Sequence, residues 1–258
     1  MIQGMSEVTI RFYAELNDFL AHSQRQVAFT YAFKPGITVK HIVEALGVPH
    51  TEIDLILVNG VSVDFSYQPM QDDQISVYPV FEAFNISPVV RLRPQPLRDS
   101  RFILDTHLGR LAAYLRMLGF NTLYENFADD DYLAFISNAE TRILLTRDIG
   151  LLKRNLVTHG CYIRSSDPRQ QIVEILQRLD LADQITPFRR CLRCNTLLLP
   201  VGKAEVEARL LPDTRQYYQE FQVCPSCEQI YWKGSHYQNM LAFIQQVKDR
   251  LAHPPINE

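Results

Sequence analysis

The chain has 258 residues, 47% apolar and 21% charged, with a net charge of −3. That balance excludes a disordered polyelectrolyte and allows one large domain or two to three small ones. No apolar run approaches the ~18 residues of a membrane span, and the opening MIQGMSEVTI has neither a basic start nor a long apolar stretch, so a cytoplasmic location is expected. The charge is uneven. Residues 1–90 hold four Lys/Arg and ten Asp/Glu, and residues 91–258 hold 22 and 19. An acidic first third and a slightly basic remainder suggest two domains, with any polyanion going to the second.

In chain order, residues 7–13 alternate, with Val8, Ile10 and Phe12 on one side, which predicts a strand. A second strand runs from Val27 to Phe33 and ends at Pro35-Gly36. Val39, Ile42, Val43 and Leu46 have helical spacing, and Gly47 stops the helix. Leu55–Val58 is a strand, Asn59-Gly60 a hairpin turn, Ser62–Phe65 a short strand and Gln74–Tyr78 the last. This ββαβββ order, with YAELNDFL near the start and LILVNGVSVDFSY and DDQISVYPVF later, resembles the β-grasp fold of ubiquitin and the small sulfur carriers. Sulfur carriers act through a free Gly-Gly terminus; here Pro79-Val80-Phe81-Glu82 stands in that place and the chain continues. Residues 1–86 therefore read as a β-grasp module that either binds a protein partner or stabilises the rest.

Residues 87–100 read as a connector stiffened by Pro88, Pro94 and Pro96, carrying Arg91, Arg93 and Arg98, with Arg101 just beyond. A second domain is expected over 101–186. Phe102-Ile103-Leu104 is an apolar run ending at Asp105. A helix follows with Leu108, Leu111, Ala112, Leu115 and Leu118 on one face and Gly119 as its stop. Thr122-Leu123-Tyr124 is a second strand. Asp129, Asp130 and Asp131 open a helix carrying Leu133 and Ile136, and Ile143–Thr146 runs into Arg147 and Asp148. Strands separated by helices predict parallel βαβ crossovers, and ligands of such sheets bind beyond the carboxyl ends of the strands. Carboxylates gathered there repel one another unless a hard cation such as magnesium or manganese neutralises them. Acids at such positions also cap helices, and at least one of the three consecutive aspartates is expected to be an N-cap.

Cys161–Arg164 reads as a strand with a core thiol, and Asp167-Pro168 starts a helix with Ile172, Ile175, Leu176 and Leu179 inward. In residues 187–258, Cys191-x-x-Cys194 is followed after 29 residues by Cys224-x-x-Cys227. Two such pairs predict a closed, structural zinc site that leaves no ligand position for a substrate. Arg189, Arg190 and Arg193 flank the first pair; Tyr231 and Trp232 follow the second. These aromatic rings either stack on bases or, for Trp232, pack the ribbon against the core. A last helix, Tyr237 to Leu251, is expected to bury Met240, Leu241, Ile244, Val247 and Leu251.

The segments FILDTHLGRLAAYLRMLGFNTLY and RILLTRDIGLL resemble the ribonuclease domain at the C-terminus of the Mut-seven exonuclease, a PIN-like nuclease family, over roughly Arg101 to Leu251. The resemblance implies an α/β domain with a parallel sheet and a C-terminal zinc ribbon. It implies a metal-dependent ribonuclease in which Asp105, Asp130 and Asp148 hold magnesium or manganese and single-stranded RNA is cut. Asp130 is chosen because it precedes Leu133 with the family's Asp-x-x-Leu spacing; Asp129 and Asp131 stay open. Glu140 resembles a fourth acid, and Thr146 is placed to orient Asp148. Arg110, Arg116 and Arg147 are candidate phosphate contacts. Arg110 and Arg116 lie about 240° apart on an ideal helix, so one of them is expected to be used internally. The segment IYWKGSH adds His236 to the substrate-binding set. Two rival readings are a non-catalytic RNA-binding ribbon and a protein-interaction adaptor acting through the β-grasp module.

Overall fold

The computed structural model describes residues 4–79 and 100–252; the Pro/Arg-rich connector lies outside the described residues. The first part of the chain forms β1 (Ser6–Phe12), β2 (Phe29–Phe33), α1 (Val39–Ala45), β3 (Ile53–Val58), β4 (Val61–Val63) and β5 (Gln74–Pro79). After residue 100 come β6 (Arg101–Leu104), α2 (Gly109–Met117), β7 (Asn121–Tyr124), α3 (Asp130–Ala139), β8 (Ile143–Thr146), α4 (Ile149–Leu152), β9 (Gly160–Tyr162) and α5 (Pro168–Arg178). The last part holds β10 (Leu199–Val201), α6 (Lys203–Val206), α7 (Pro212–Tyr217), β11 (Phe221–Val223), β12 (Ile230–Trp232) and α8 (Ser235–Ala252). Among the described residues no helix is long and apolar enough to cross a membrane.

The chain forms two compact units, and both are discontinuous in sequence. One combines the described residues before Ser100 with Asp129–Tyr162; the other combines Ser100–Ala128 with the residues from Ile163 onward.

In the first unit the five-stranded β-grasp sheet has the order β2-β1-β5-β3-β4, with β1 and β5 parallel at its centre. Alternation does the work predicted for it: Val8, Ile10 and Phe12 of β1 are buried with Ile56, Val77 and the Ile42/Val43 face of α1. Thr38 caps α1 by accepting from the His41 N–H at 3.3 Å. Gly47 follows the helix at φ +106°, and a Cβ there would meet the Phe19 carbonyl at 2.9 Å, so only glycine fits.

The same unit contains β8 and β9, paired in parallel, with α3 and α4. The β-grasp module is seated directly on this segment. The Tyr162 N–H of β9 donates to Glu52 Oε1 at 2.6 Å. The His50 ring spans Glu44 Oε1 at 2.7 Å and the Val157 carbonyl at 3.1 Å. Lys153 Nζ donates to the Glu44 carbonyl at 2.6 Å, Lys40 reaches Asn155 at 3.0 Å, and Phe19 meets Tyr162 edge to face. Glu52 is only 1% exposed, so its carboxylate serves the strand and not the solvent. Cys161 is buried beside it in β9, as a core thiol.

In the second unit β6 and β7 pair in parallel, Phe102 opposite Thr122. The apolar face of α2 (Leu108, Leu111, Ala112, Leu115 and Leu118) is fully buried, and Ile172, Ile175 and Leu176 of α5 are buried as well. The chain then closes the C-terminus of α2. Thr186 N–H donates to the Leu118 carbonyl, Phe188 N–H to Met117 and Arg190 Nε to Gly119, which satisfies carbonyls a helix end leaves open. Gly119 must be glycine: its φ is +101°, and a Cβ would sit 2.2 Å from the Thr186 carbonyl. The ribbon itself is an antiparallel sheet β10-β11-β12 over Val206, Leu210, Phe221 and Ile230. The final helix buries Ile244 and Val247, whereas Leu241 stays 38% exposed, a narrower apolar contact than its sequence pattern suggested.

Removing the acceptor for the Tyr162 N–H should be costly. Glu52→Ala is expected to lower unfolding free energy by about 1–3 kcal/mol, the range for an orphaned buried donor, in a denaturant titration; a loss below about 0.5 kcal/mol would contradict the docking described here.

Candidate functional site

The two strand-terminal aspartates are both held by local backbone. Asp105 follows β6 and is 8% exposed; its Oδ1 accepts from the Thr106 N–H at 2.6 Å and the Thr106 hydroxyl at 3.2 Å. Asp148 follows β8 and is exposed. Its Oδ1 accepts from Gly150 N–H at 2.6 Å and Leu151 N–H at 3.3 Å, capping α4. Oδ2 of Asp148 has no partner among the described residues. Thr146 acts on Asp148 through the main chain: its buried hydroxyl accepts from the Asp148 N–H at 2.9 Å.

The run of three aspartates separates into two roles, one cap and two partners of a single arginine. Asp129 is the N-cap of α3, accepting from Tyr132 N–H at 2.8 Å. Asp131 is paired with Arg154 and its side chain is 90% exposed. Asp130 lies 3.5 Å from the same guanidinium and is 48% exposed. Arg154 thus joins Asp130 and Asp131, and its hydrogen bond to Asp131 raises its own pKa against the downward push of desolvation. The pattern of apolar residues gave no sign of this arginine, which is 23 residues from its partner. Glu140 ends α3 and pairs with Arg142 at 2.7 Å.

Of the expected phosphate contacts, Arg110 and Arg147 are exposed, and His236 is exposed in the first turn of α8. Among the acids, the structure does not gather Asp105, Asp130 and Asp148 into a ligand group: among the described residues the cysteines alone form one. Among the expected phosphate contacts, Arg116 is the one the geometry corrects. It is 5% exposed; Nε donates to the Thr122 carbonyl at 3.0 Å, and Nη1 to the Leu192 and Arg193 carbonyls at 3.1 and 2.9 Å. Burial pulls its pKa down from the ordinary value, and negative charge on the sulfurs of Cys191 and Cys194 opposes that shift. A guanidinium buried to this degree and bonded to three carbonyls is not presented to a phosphate from solution. Arg116 is the internally used member of the Arg110/Arg116 pair, although its partners are carbonyls and not an acid.

The carbonyls it reaches belong to a metal knuckle. In both Cys-x-x-Cys turns the first cysteine's N–H donates to a carbonyl five residues on, and its own carbonyl accepts from the residue four on. That fourth residue is left-handed in each, Asn195 at φ +69° and Glu228 at +56°. The two turns are copies in geometry. They bring the Sγ atoms of Cys191, Cys194, Cys224 and Cys227 within 4.8 Å of one another, with Cys191–Cys227 at 3.5 Å and Cys194–Cys224 at 3.3 Å. Thiolates about 2.3 Å from a tetrahedral zinc lie roughly 3.8 Å apart, so the cluster is of the size that could hold zinc. Tyr231, considered above for base stacking, is committed here: its hydroxyl accepts from Leu192 N–H at 3.0 Å and lies 3.2 Å from Cys191 Sγ. Asn195 adds a link to the strand pair, accepting from the Thr122 N–H at 2.9 Å and donating to Asn121 at 2.8 Å.

Two family models match the chain. One, described as the Mut7-C RNAse domain, covers residues 100–244; the other, described as Mut7-C ubiquitin, covers residues 5–85. No curated protein matches the sequence.

Arg116→Ala should cost about 3 kcal/mol of stability, because three carbonyls lose their donor at once. Arg116→Lys should recover little of it, since one ammonium cannot reproduce a planar fork. Chemical denaturation of both variants checks this; wild-type stability in Arg116→Ala would remove the clamp role.

Proposed function

The chain belongs to the Mut7-C RNase family, with that family's ubiquitin-like domain before it, and on that premise we propose that it is a metal-dependent ribonuclease cutting single-stranded RNA. Asp105, Asp130 and Asp148 hold a magnesium or manganese ion in this reading. The observation that carries it is the state of Asp148. One oxygen is fixed by two N–H groups, and the other has no partner among the described residues, which is the arrangement a ligand carboxylate needs. Hard carboxylate donors suit magnesium and manganese.

A bound divalent ion would supply a water of lowered pKa and would stabilise charge on the phosphate. The residues of the chain do the rest. Thr146 and the first turn of α4 fix the direction of Asp148. Thr106 fixes Asp105. Asp130 starts out partnered by Arg154, which offsets carboxylate repulsion before a cation arrives. Arg110 and Arg147 receive the phosphate, with His236 as a further contact to RNA. The four cysteines hold a structural zinc. A partner recruited by the β-grasp module would use a face other than the one occupied by Val157 and Tyr162.

Clean variants are available: asparagine caps about as well as aspartate at Asp148, and at the half-exposed Asp130, which is not a cap, it is nearly isosteric. Asp148→Asn and Asp130→Asn should keep the fold and zinc content while cleavage of single-stranded RNA in manganese falls at least about a hundredfold; loss of even a supporting partner of a ligand costs about ten- to a hundredfold. Asp129→Asn, which changes only a cap, should cleave at near the parent rate. Cleavage that survives in Asp148→Asn, or that needs no divalent ion, would refute the assignment. Metal analysis of the same preparations should give one zinc per chain, lost in Cys224→Ser.

A further inference from the structure

We infer that the ribbon carries a subsite for single-stranded RNA with Trp232 as its base platform; the inference deepens the ribonuclease reading and rests on it for the choice of nucleic acid. Trp232 bounds two neighbouring clefts. One, of about 590 Å³, is walled by Phe188, Phe221, Tyr237 and Met240, with Arg189 among its lining residues. Phe188 and Tyr237 meet there with their rings tilted by 39° and their centroids 4.5 Å apart. The other, of about 340 Å³, is more polar and lined by Arg193 and Arg209. Sites of some 300–1,000 Å³ take small organic groups, and a nucleotide falls in that range.

An aromatic platform between an apolar cleft and an arginine-bearing one suits a strand whose bases stack while its phosphates pair. The charges agree. Arg189, Arg190, Arg193, Arg209 and Lys233 line the two clefts, against Glu220 and Glu228. Lys233 is taken up by Glu220 at 2.6 Å, and Arg209 lies 3.9 Å from Glu228. Arg190 is spent on the Gly119 and Asn195 carbonyls. Arg189 and Arg193 are exposed and have no ion-pair partner among the described residues. An apolar peptide would use the first cleft and gain nothing from the second.

The platform is built and not left over. Trp232 is 37% exposed, where burial against the core would be the usual fate of a lone tryptophan. A Cβ on Gly234 would lie 2.8 Å from the indole Nε1, so glycine at that place lets the ring lie as it does. Tyr218 flanks it at 6.5 Å.

Trp232 is the chain's one tryptophan, so its emission reads this site alone. The full-length Asp148→Asn protein is titrated with an oligouridylate of about eight nucleotides, without added divalent ion. A saturable change in tryptophan emission is expected, with affinity falling roughly sevenfold between about 50 and 200 mM salt if two phosphates are contacted. In the same background Trp232→Ala, followed by anisotropy of labelled RNA, should bind about tenfold more weakly, and Arg193→Gln should flatten the salt dependence; unchanged zinc content certifies both folds. Absence of binding, RNA binding that leaves the emission unchanged, equal affinity in Trp232→Ala, or an emission change indifferent to salt would each overturn the subsite. Manganese-dependent cleavage by the parent protein without the emission response removes the subsite alone. The emission response in a chain that never cleaves removes the nuclease reading and leaves RNA binding by the ribbon.

Discussion

Two main-chain N–H groups organise most of what surrounds them. Tyr162 in β9 and Thr122 in β7 each belong to a short parallel strand pair, and each donates to a side chain from an added module. Glu52 of the β-grasp module takes the first; Asn195 of the ribbon takes the second. A short parallel strand with unmet donors is a place where other chains add on, and a buried unmet donor costs about 1–3 kcal/mol. The physical need of the strands thus explains why the modules are seated tightly. Glu52 and Asn195 are 1% and 7% exposed, side chains that a freely tethered domain would leave in water. Arg116 extends the principle, since it takes the Thr122 carbonyl with one nitrogen and a cysteine knuckle with another.

The carboxylates follow a second constraint. An aspartate after a strand and before a helix has a use without any ligand, because the first helical N–H groups need an acceptor. Asp148 meets that need with one oxygen. The cap therefore leaves the other oxygen open for the proposed cation and fixes the side chain in advance, as preorganised ligands require. Asp129 shows the other outcome: its acid serves as a cap at the head of α3, while Asp130, one residue on, faces Arg154.

The strands and helices of the β-grasp module were legible because alternation and turn signals agree there. Asn59-Gly60 is a left-handed pair at φ +49° and +82° between β3 and β4, and the buried alternation of β1 is the one its sequence implies. The cysteine cluster was legible from spacing alone. What stayed hidden depends on partners far along the chain. Arg116 meets carbonyls 76 and 77 residues away, and Glu52 meets a strand 110 residues away; neither leaves a mark in local pattern. The three consecutive aspartates were ambiguous for a different reason. Their spacing admits every register, and only the φ/ψ of Asp129 and the position of Arg154 separate the cap from the two counter-ions. The short helices α6 and α7 inside the cysteine insert also escaped, since four- and six-residue helices carry too little periodicity to detect.

The central proposal is that the aspartates ending β6 and β8 serve a divalent cation while the cysteines serve a different one. Anomalous diffraction from zinc-loaded crystals soaked in manganese, recorded on both sides of the manganese edge, reads this directly. The account requires a manganese peak coordinated by carboxylate oxygens of Asp105 and Asp148, with the cysteine peak unchanged and attributable to zinc. A manganese peak only at the cysteines, or none beside those two aspartates, would contradict it.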